Sequence, residues 1–117
     1  MSGGNWKDML YASQRGDLEL VRYHIKMGAN PNYKHPEFFT APLLESVRNG
    51  DYEISKFLLE NGAKSNISDD LEDITPIEIA YEKRDFRLVD LINQYLPDGE
   101  KMVFKNVLIT GGNRGIG

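Results

Sequence analysis

Residues 40–66 read TAPLLESVRNGDYEISKFLLENGAKSN, and their punctuation decides the fold. Pro42 suits the first turn of a helix, where a missing N–H costs nothing. Asn49-Gly50 breaks that helix, because glycine accepts the left-handed conformation of a C-terminal cap. Asp51 is placed to cap a second helix, with Ile54, Phe57 and Leu58 on one face. Gly62 stops it. The stretch predicts two short antiparallel helices joined by a tight turn.

The same pattern recurs on both sides at a step of 34 residues, seen in Gly16 and Gly50, Gly28 and Gly62, Ala29 and Ala63, and Asn32 and Asn66. Asp17, Asp51 and Asp85 keep the step, as do Pro42 and Pro76 and the small residues Ala12, Ser46 and Ala80. Apolar residues repeat at Met9, Leu43 and Ile77, at Leu20, Ile54 and Leu88, and at Tyr23, Phe57 and Leu91. The first unit predicts helices over 6–14 and 18–27, broken at Arg15-Gly16. The third predicts a helix from Pro76, a turn at Arg84-Asp85 and a helix from Phe86 to about Leu96, ended by Pro97-Asp98-Gly99. No unit can bury its own apolar stripe, so stability must come from stacking neighbours. Three units are near the lower limit for such an array, which implies modest stability.

These residues resemble the ankyrin repeat. The resemblance rests on Gly16-Asp17-Leu18-Glu19-Leu20-Val21, Gly50-Asp51-Tyr52-Glu53-Ile54, Gly28-Ala29-Asn30-Pro31-Asn32, Gly62-Ala63-Lys64-Ser65-Asn66 and Thr75-Pro76-Ile77, and it covers about residues 5–96. It implies an all-α array of about three helix-turn-helix repeats within a domain over 1–100. The sequence departs from the family at Leu10, Leu44 and Glu78, which stand where a histidine follows Thr-Pro-Leu, so that residue's hydrogen bonds between units are lost. The step exceeds the family's usual length by one residue, implying one extra residue in each loop. Arg84 stands where glycine is expected.

The resemblance further implies a protein-binding module without catalysis, using loop tips and the inner face of each pair's first helix. Carried over by position, the first loop offers Tyr33, Lys34, His35, Glu37, Phe38 and Thr40, and the second Asp69, Asp70, Leu71, Glu72 and Ile74. The helix ends add Gln14, Arg15, Arg48, Asn49, Glu82 and Lys83. Tyr33, Phe38 and Arg48 are the favoured anchors, since aromatics and arginine dominate interface energetics. One ring of Phe38-Phe39 is expected to pack on the array as a staple. His35, beside Pro36, reads as an ordinary loop histidine, and His24, in register with Leu58 and Ile92, as a core or edge residue. The run Ser68–Asp73 lacks the glycine and distal glutamate of a calcium loop and reads as a solvated acidic loop, able to steer a basic partner.

Composition narrows the function classes. The 117 residues suit one modest domain, and the absence of cysteine removes disulfide and thiolate chemistry. Two histidines far apart in sequence give no basis for a zinc site, so no metal is expected. No apolar run reaches membrane-spanning length and the N-terminus lacks the regions of a signal peptide, which makes a cytoplasmic location the default. The net charge is −4, yet Lys101, Lys105 and Arg114 face no acid within 101–117. The first hundred residues are therefore more acidic than the total suggests, and nucleic acid is excluded as their partner.

The last stretch has a different character. Residues 102–110 read as a short apolar β-strand, and Thr110-Gly111 with Gly115 and Gly117 follow. Strand and loop resemble the cofactor motif of short-chain dehydrogenases/reductases, whose glycines let backbone N–H groups approach a pyrophosphate. The resemblance covers only about 104–117, without the following helix or the catalytic Ser, Tyr and Lys, so the motif is vestigial and no cofactor is expected. Tyr52 and Lys56 have the family's Tyr-x-x-x-Lys spacing but lie upstream, inside a repeat helix. Residues 103–109 are expected either to self-associate, as a strand whose edges are unpaired, or to be poorly ordered. Two alternative functions stay open: the N-terminal regulatory or scaffold part of a truncated reductase, and a small acidic inhibitor or immunity-type protein.

Overall fold

Three helical hairpins follow one another along the chain. The computed structural model describes residues 6–97 and 99, and among them lie six helices and no strand. They are α1 (Trp6–Arg15), α2 (Leu18–Lys26), α3 (Pro42–Arg48), α4 (Tyr52–Glu60), α5 (Pro76–Glu82) and α6 (Phe86–Tyr95). The expected all-α array of three helix-turn-helix units is what forms. The strand expected over 103–109, the glycine motif at Thr110, Gly111, Gly115 and Gly117, and the 101–117 tail that holds them lie outside the described residues.

One piece of local chemistry builds each hairpin. The residue between its helices is left-handed, with φ of 81° at Gly16, 70° at Gly50 and 59° at Arg84. Each such turn lets the next N–H reach back five residues, from Asp17 to Ala12 O, Asp51 to Ser46 O and Asp85 to Ala80 O, at 2.8–3.0 Å. The same aspartates then cap the second helices, accepting from the N–H of Leu20 (3.1 Å), Ile54 (3.0 Å) and Leu88 (3.3 Å). Because only Gly16 need be left-handed, Arg15 stays helical and α1 runs one residue beyond expectation. Met27 caps α2, which ends at Lys26.

The hairpins stack with α1, α3 and α5 in one row and α2, α4 and α6 in the other. Met9, Leu43, Ile54, Leu58, Leu88 and Ile92 lie buried between the rows. His24 is buried at the Leu58 register, as expected. Ser46 and Ser55 face each other at 2.8 Å, so a buried hydroxyl pair is satisfied internally. Leu10 and Leu44, which replace the family's histidine, are fully packed between units. The polar ties across units come from other residues. Asn49 Nδ2 donates to Ser13 O (3.2 Å) and Gln14 O (2.6 Å), and Asn32 bridges to Gly62 O (2.9 Å) and Lys64 N–H (2.7 Å).

Candidate interaction surface

The two long loops are built on the same scaffold, one repeat apart. In the first, Phe39 N–H donates to His35 O (3.0 Å); in the second, Asp73 N–H donates to Asp69 O (2.8 Å). Phe39 and Asp73 are both left-handed, at φ 60° and 55°. The side chain that opens each turn accepts the N–H two residues on. His35 Nδ1 takes Glu37 N–H at 3.1 Å, and Asp69 Oδ1 takes Leu71 N–H at 2.6 Å and Glu72 N–H at 3.0 Å. An imidazole and a carboxylate thus do one job in two loops. Asp70 N–H to Phe39 O (2.9 Å) and Lys34 Nζ to Ser68 O and Asp70 Oδ1 (both 2.7 Å) lock the loops together.

Aromatic side chains gather where the first loop meets α1. Trp6 stacks on His35 with centroids 4.8 Å apart and planes 12° from parallel. It also meets Tyr33 at 5.2 Å and Phe38 edge-on at 5.4 Å, and Lys7 Nζ sits 5.8 Å from the Phe38 ring centre. Phe38 is therefore the ring that packs on the array, and Phe39 turns the chain into α3. His35 is no ordinary loop histidine, since its ring is half-buried in this cluster and its nitrogen holds the turn.

Farther along, Arg48 lies between α3 and the second loop. Its guanidinium donates to Glu45 at 2.7 Å and Asp69 at 2.9 Å, with Glu72 at 3.7 Å. Burial works against the Arg48 charge, but hydrogen bonds and attraction from Asp69 and Glu45 outweigh it and hold Arg48 above its ordinary value. Burial likewise pushes the Asp69 carboxyl up, while the Arg48 hydrogen bond and the N–H groups of Glu72 and Leu71 bring it below the usual carboxylate range. The run over 68–73 is therefore not simply a solvated acidic loop: Asp69 is buried and organises it.

Beyond Arg48, the second loop and α5 enclose an open groove lined by Glu72, Asp73, Ile74, Glu78, Tyr81 and Glu82. Its residues are explained by register. Position 81 corresponds to Ser13 and Val47, both fully buried under the following unit, whereas Tyr81 is 40% exposed. Position 78 corresponds to buried Leu10 and Leu44, whereas Glu78 faces out and accepts from Thr75 N–H at 2.9 Å. The outer face of the third unit thus exposes a carboxylate and an aromatic ring at positions that the first two units bury.

A family model for ankyrin repeats (3 copies) matches residues 9–102. The chain belongs to the ankyrin-repeat family. No curated protein matches it.

In this ankyrin array the residues expected to bind a partner divide into two kinds. Tyr33 and Leu71 project from the loop tips, Leu71 at 71% exposure, and Arg15 and Lys83 lie exposed at helix ends. Arg48, Asp69, Asp70, His35 and Phe38 are instead held by contacts within the array, and Glu72 stands at its rim with its side chain 70% exposed. The sequence reading passed over Trp6, Tyr11 and Tyr81. Register could have found Tyr81, a large ring where the other units carry Ser13 and Val47. Trp6 carried no comparable signal, because its partners come from a loop some thirty residues on. Among the described residues, no three His, Asp or Glu side chains are placed to hold a metal ion, and no helix is long and apolar enough to cross a membrane.

Proposed function

We propose that this array is a non-catalytic module that binds a protein partner across the loop tips and the exposed faces of α1, α3 and α5. The family supports the general role, since ankyrin repeats mediate protein–protein interaction. The observation that carries the surface assignment is the set of exposed side chains Tyr33 and Leu71, on loops locked to one another, with Tyr11 on α1 and Tyr81 on α5. Aromatic residues on a rigid support lose little entropy when covered, which is what a binding face needs. The groove beside Tyr81 has carboxylate walls and, among the described residues, no basic lining residue, favouring a partner segment with Lys or Arg at that end.

Affinity capture with the full chain as bait, followed by binding isotherms, tests the reading. Tyr33→Ala with Leu71→Ala, and separately Tyr81→Ser with Glu82→Lys, should each weaken a captured partner by tenfold or more, about 1.4 kcal/mol, in proteins that keep their helical circular dichroism. A partner bound equally well by both variants would place the working surface elsewhere.

A further inference from the structure

We propose that His35 makes the first loop acid-sensitive, so that protonating one imidazole releases the 35–39 turn while the second loop keeps its form. Glu37 N–H points at His35 Nδ1 from 3.1 Å, so that nitrogen must present a lone pair. In the imidazolium both nitrogens carry protons, and two N–H groups would face each other across that distance. Rotating the ring away does not restore an acceptor, and it breaks the parallel stack on Trp6 and the edge contact with Phe38. The turn opens instead, starting with the bonds from Phe38 and Phe39 N–H to His35 O (2.9 and 3.0 Å).

Charged groups lie near the ring on two elements: Lys7 of α1 sits over Phe38, and Lys34 from the same loop is paired with Asp70 of the next. The Glu37 side chain is exposed, and Tyr11 and Tyr33 add their rings to the cluster. In the second loop the acceptor is Asp69, a carboxylate held by Arg48, which keeps its lone pairs throughout the histidine range. The two loops share one geometry and differ in the chemistry of one residue. Acid therefore acts on Tyr33 and Phe38 and leaves Leu71 and Glu72 in place.

The test follows amide exchange by NMR in the full chain between about pH 8 and 5, the range in which histidine changes charge. Trp6, the sole tryptophan, reports the stack by its fluorescence. As the His35 ring titrates, protection of the Phe38 and Phe39 amides should fall about fivefold, the equilibrium change one net hydrogen bond carries. Trp6 emission should shift with the same midpoint, while Asp73, bonded to Asp69 O, keeps its protection. His35→Asn supplies a non-titrating acceptor and should abolish both changes; His35→Asp, which copies Asp69, serves should the Asn variant not fold. Unchanged Phe38 and Phe39 protection through the titration would overturn the proposal, even with altered Trp6 emission, because that alone is quenching by the imidazolium. So would an equal loss in the His35→Asn protein, which would assign the transition to another group such as His24.

Discussion

Arg48 on α3 reaches across a loop to Asp69 at 2.9 Å, and through that contact one unit of the array shapes the next. Asp69 in turn holds the N–H groups of Leu71 and Glu72, so the guanidinium indirectly sets the exposed tip of the second loop. Arg48→Met keeps the packing volume and removes the donors. It should cost about 1.5–3 kcal/mol, the range for hydrogen bonds to charged groups, in urea unfolding monitored by circular dichroism. Asp69→Asn, which retains a side-chain oxygen for the two N–H groups, should cost less than Asp69→Ala. Equal losses for the two would show that the loop is held by the Arg48 ion pair alone.

The same pair sets a pH dependence. The Asp69 carboxyl is held below its ordinary value of 3.8, so the folded state favours the carboxylate more than the unfolded chain does. Its contribution to stability is complete above that value and is lost as pH falls through the lower folded one. Arg48 is raised above a value already far into the alkaline range and contributes no slope near neutrality. Urea midpoints should therefore fall more steeply below about pH 4 in the wild type than in Asp69→Asn. Parallel curves would assign the acid slope to other carboxylates.

The hairpins were legible because their signals are local. A glycine at the turn, an aspartate after it and a proline at the next helix start each act within a few residues. Where the glycine is absent, Arg84 takes the same conformation, because the bond from Asp85 N–H to Ala80 O requires it. The surface was less legible because its contacts are not local. Nothing in a run of acids says which one turns inward, and Asp69 does so because Arg48 lies 21 residues earlier on a neighbouring helix. Nor does a histidine beside a proline announce that Trp6 will cover it. The 34-residue register that reveals the hairpins also aligns His35 with Asp69 and Tyr81 with Val47, and it is at these loop and outer-face positions that the surface signal lies.

Arg84 offers a test of how much the turn conformation costs. An L-residue in the left-handed region carries a penalty of about 1–2 kcal/mol, part of which glycine returns through the greater freedom of the unfolded chain. Arg84→Gly should thus stabilise the array by about 0.5–1 kcal/mol. Gly50→Ala should destabilise it by about 1 kcal/mol from conformation alone, since an added Cβ meets its nearest atom, Asp85 Oδ2, at an ordinary 3.6 Å. Thermal melts of the two variants should move in opposite directions. A melt lowered by Arg84→Gly would mean that the arginine side chain contributes more than its backbone costs.

Positions 44 and 78 share a register and differ in surroundings, so the same kind of change should have different effects at each. Leu44 is fully buried between units, and Leu44→Ala leaves a cavity that should cost about 2–5 kcal/mol. Glu78 lies on the outer face, where its carboxylate accepts from the backbone and hydroxyl of Thr75 at 2.9 and 3.1 Å. Glu78→Leu restores the residue type of the inner units without a neighbour to cover it, and removes half of a capping box. It should lower stability by about 1 kcal/mol and raise binding of a hydrophobic dye. A stabilising Glu78→Leu would mean that another part of the protein covers this face, and would overturn the assignment of the third unit's outer surface as exposed.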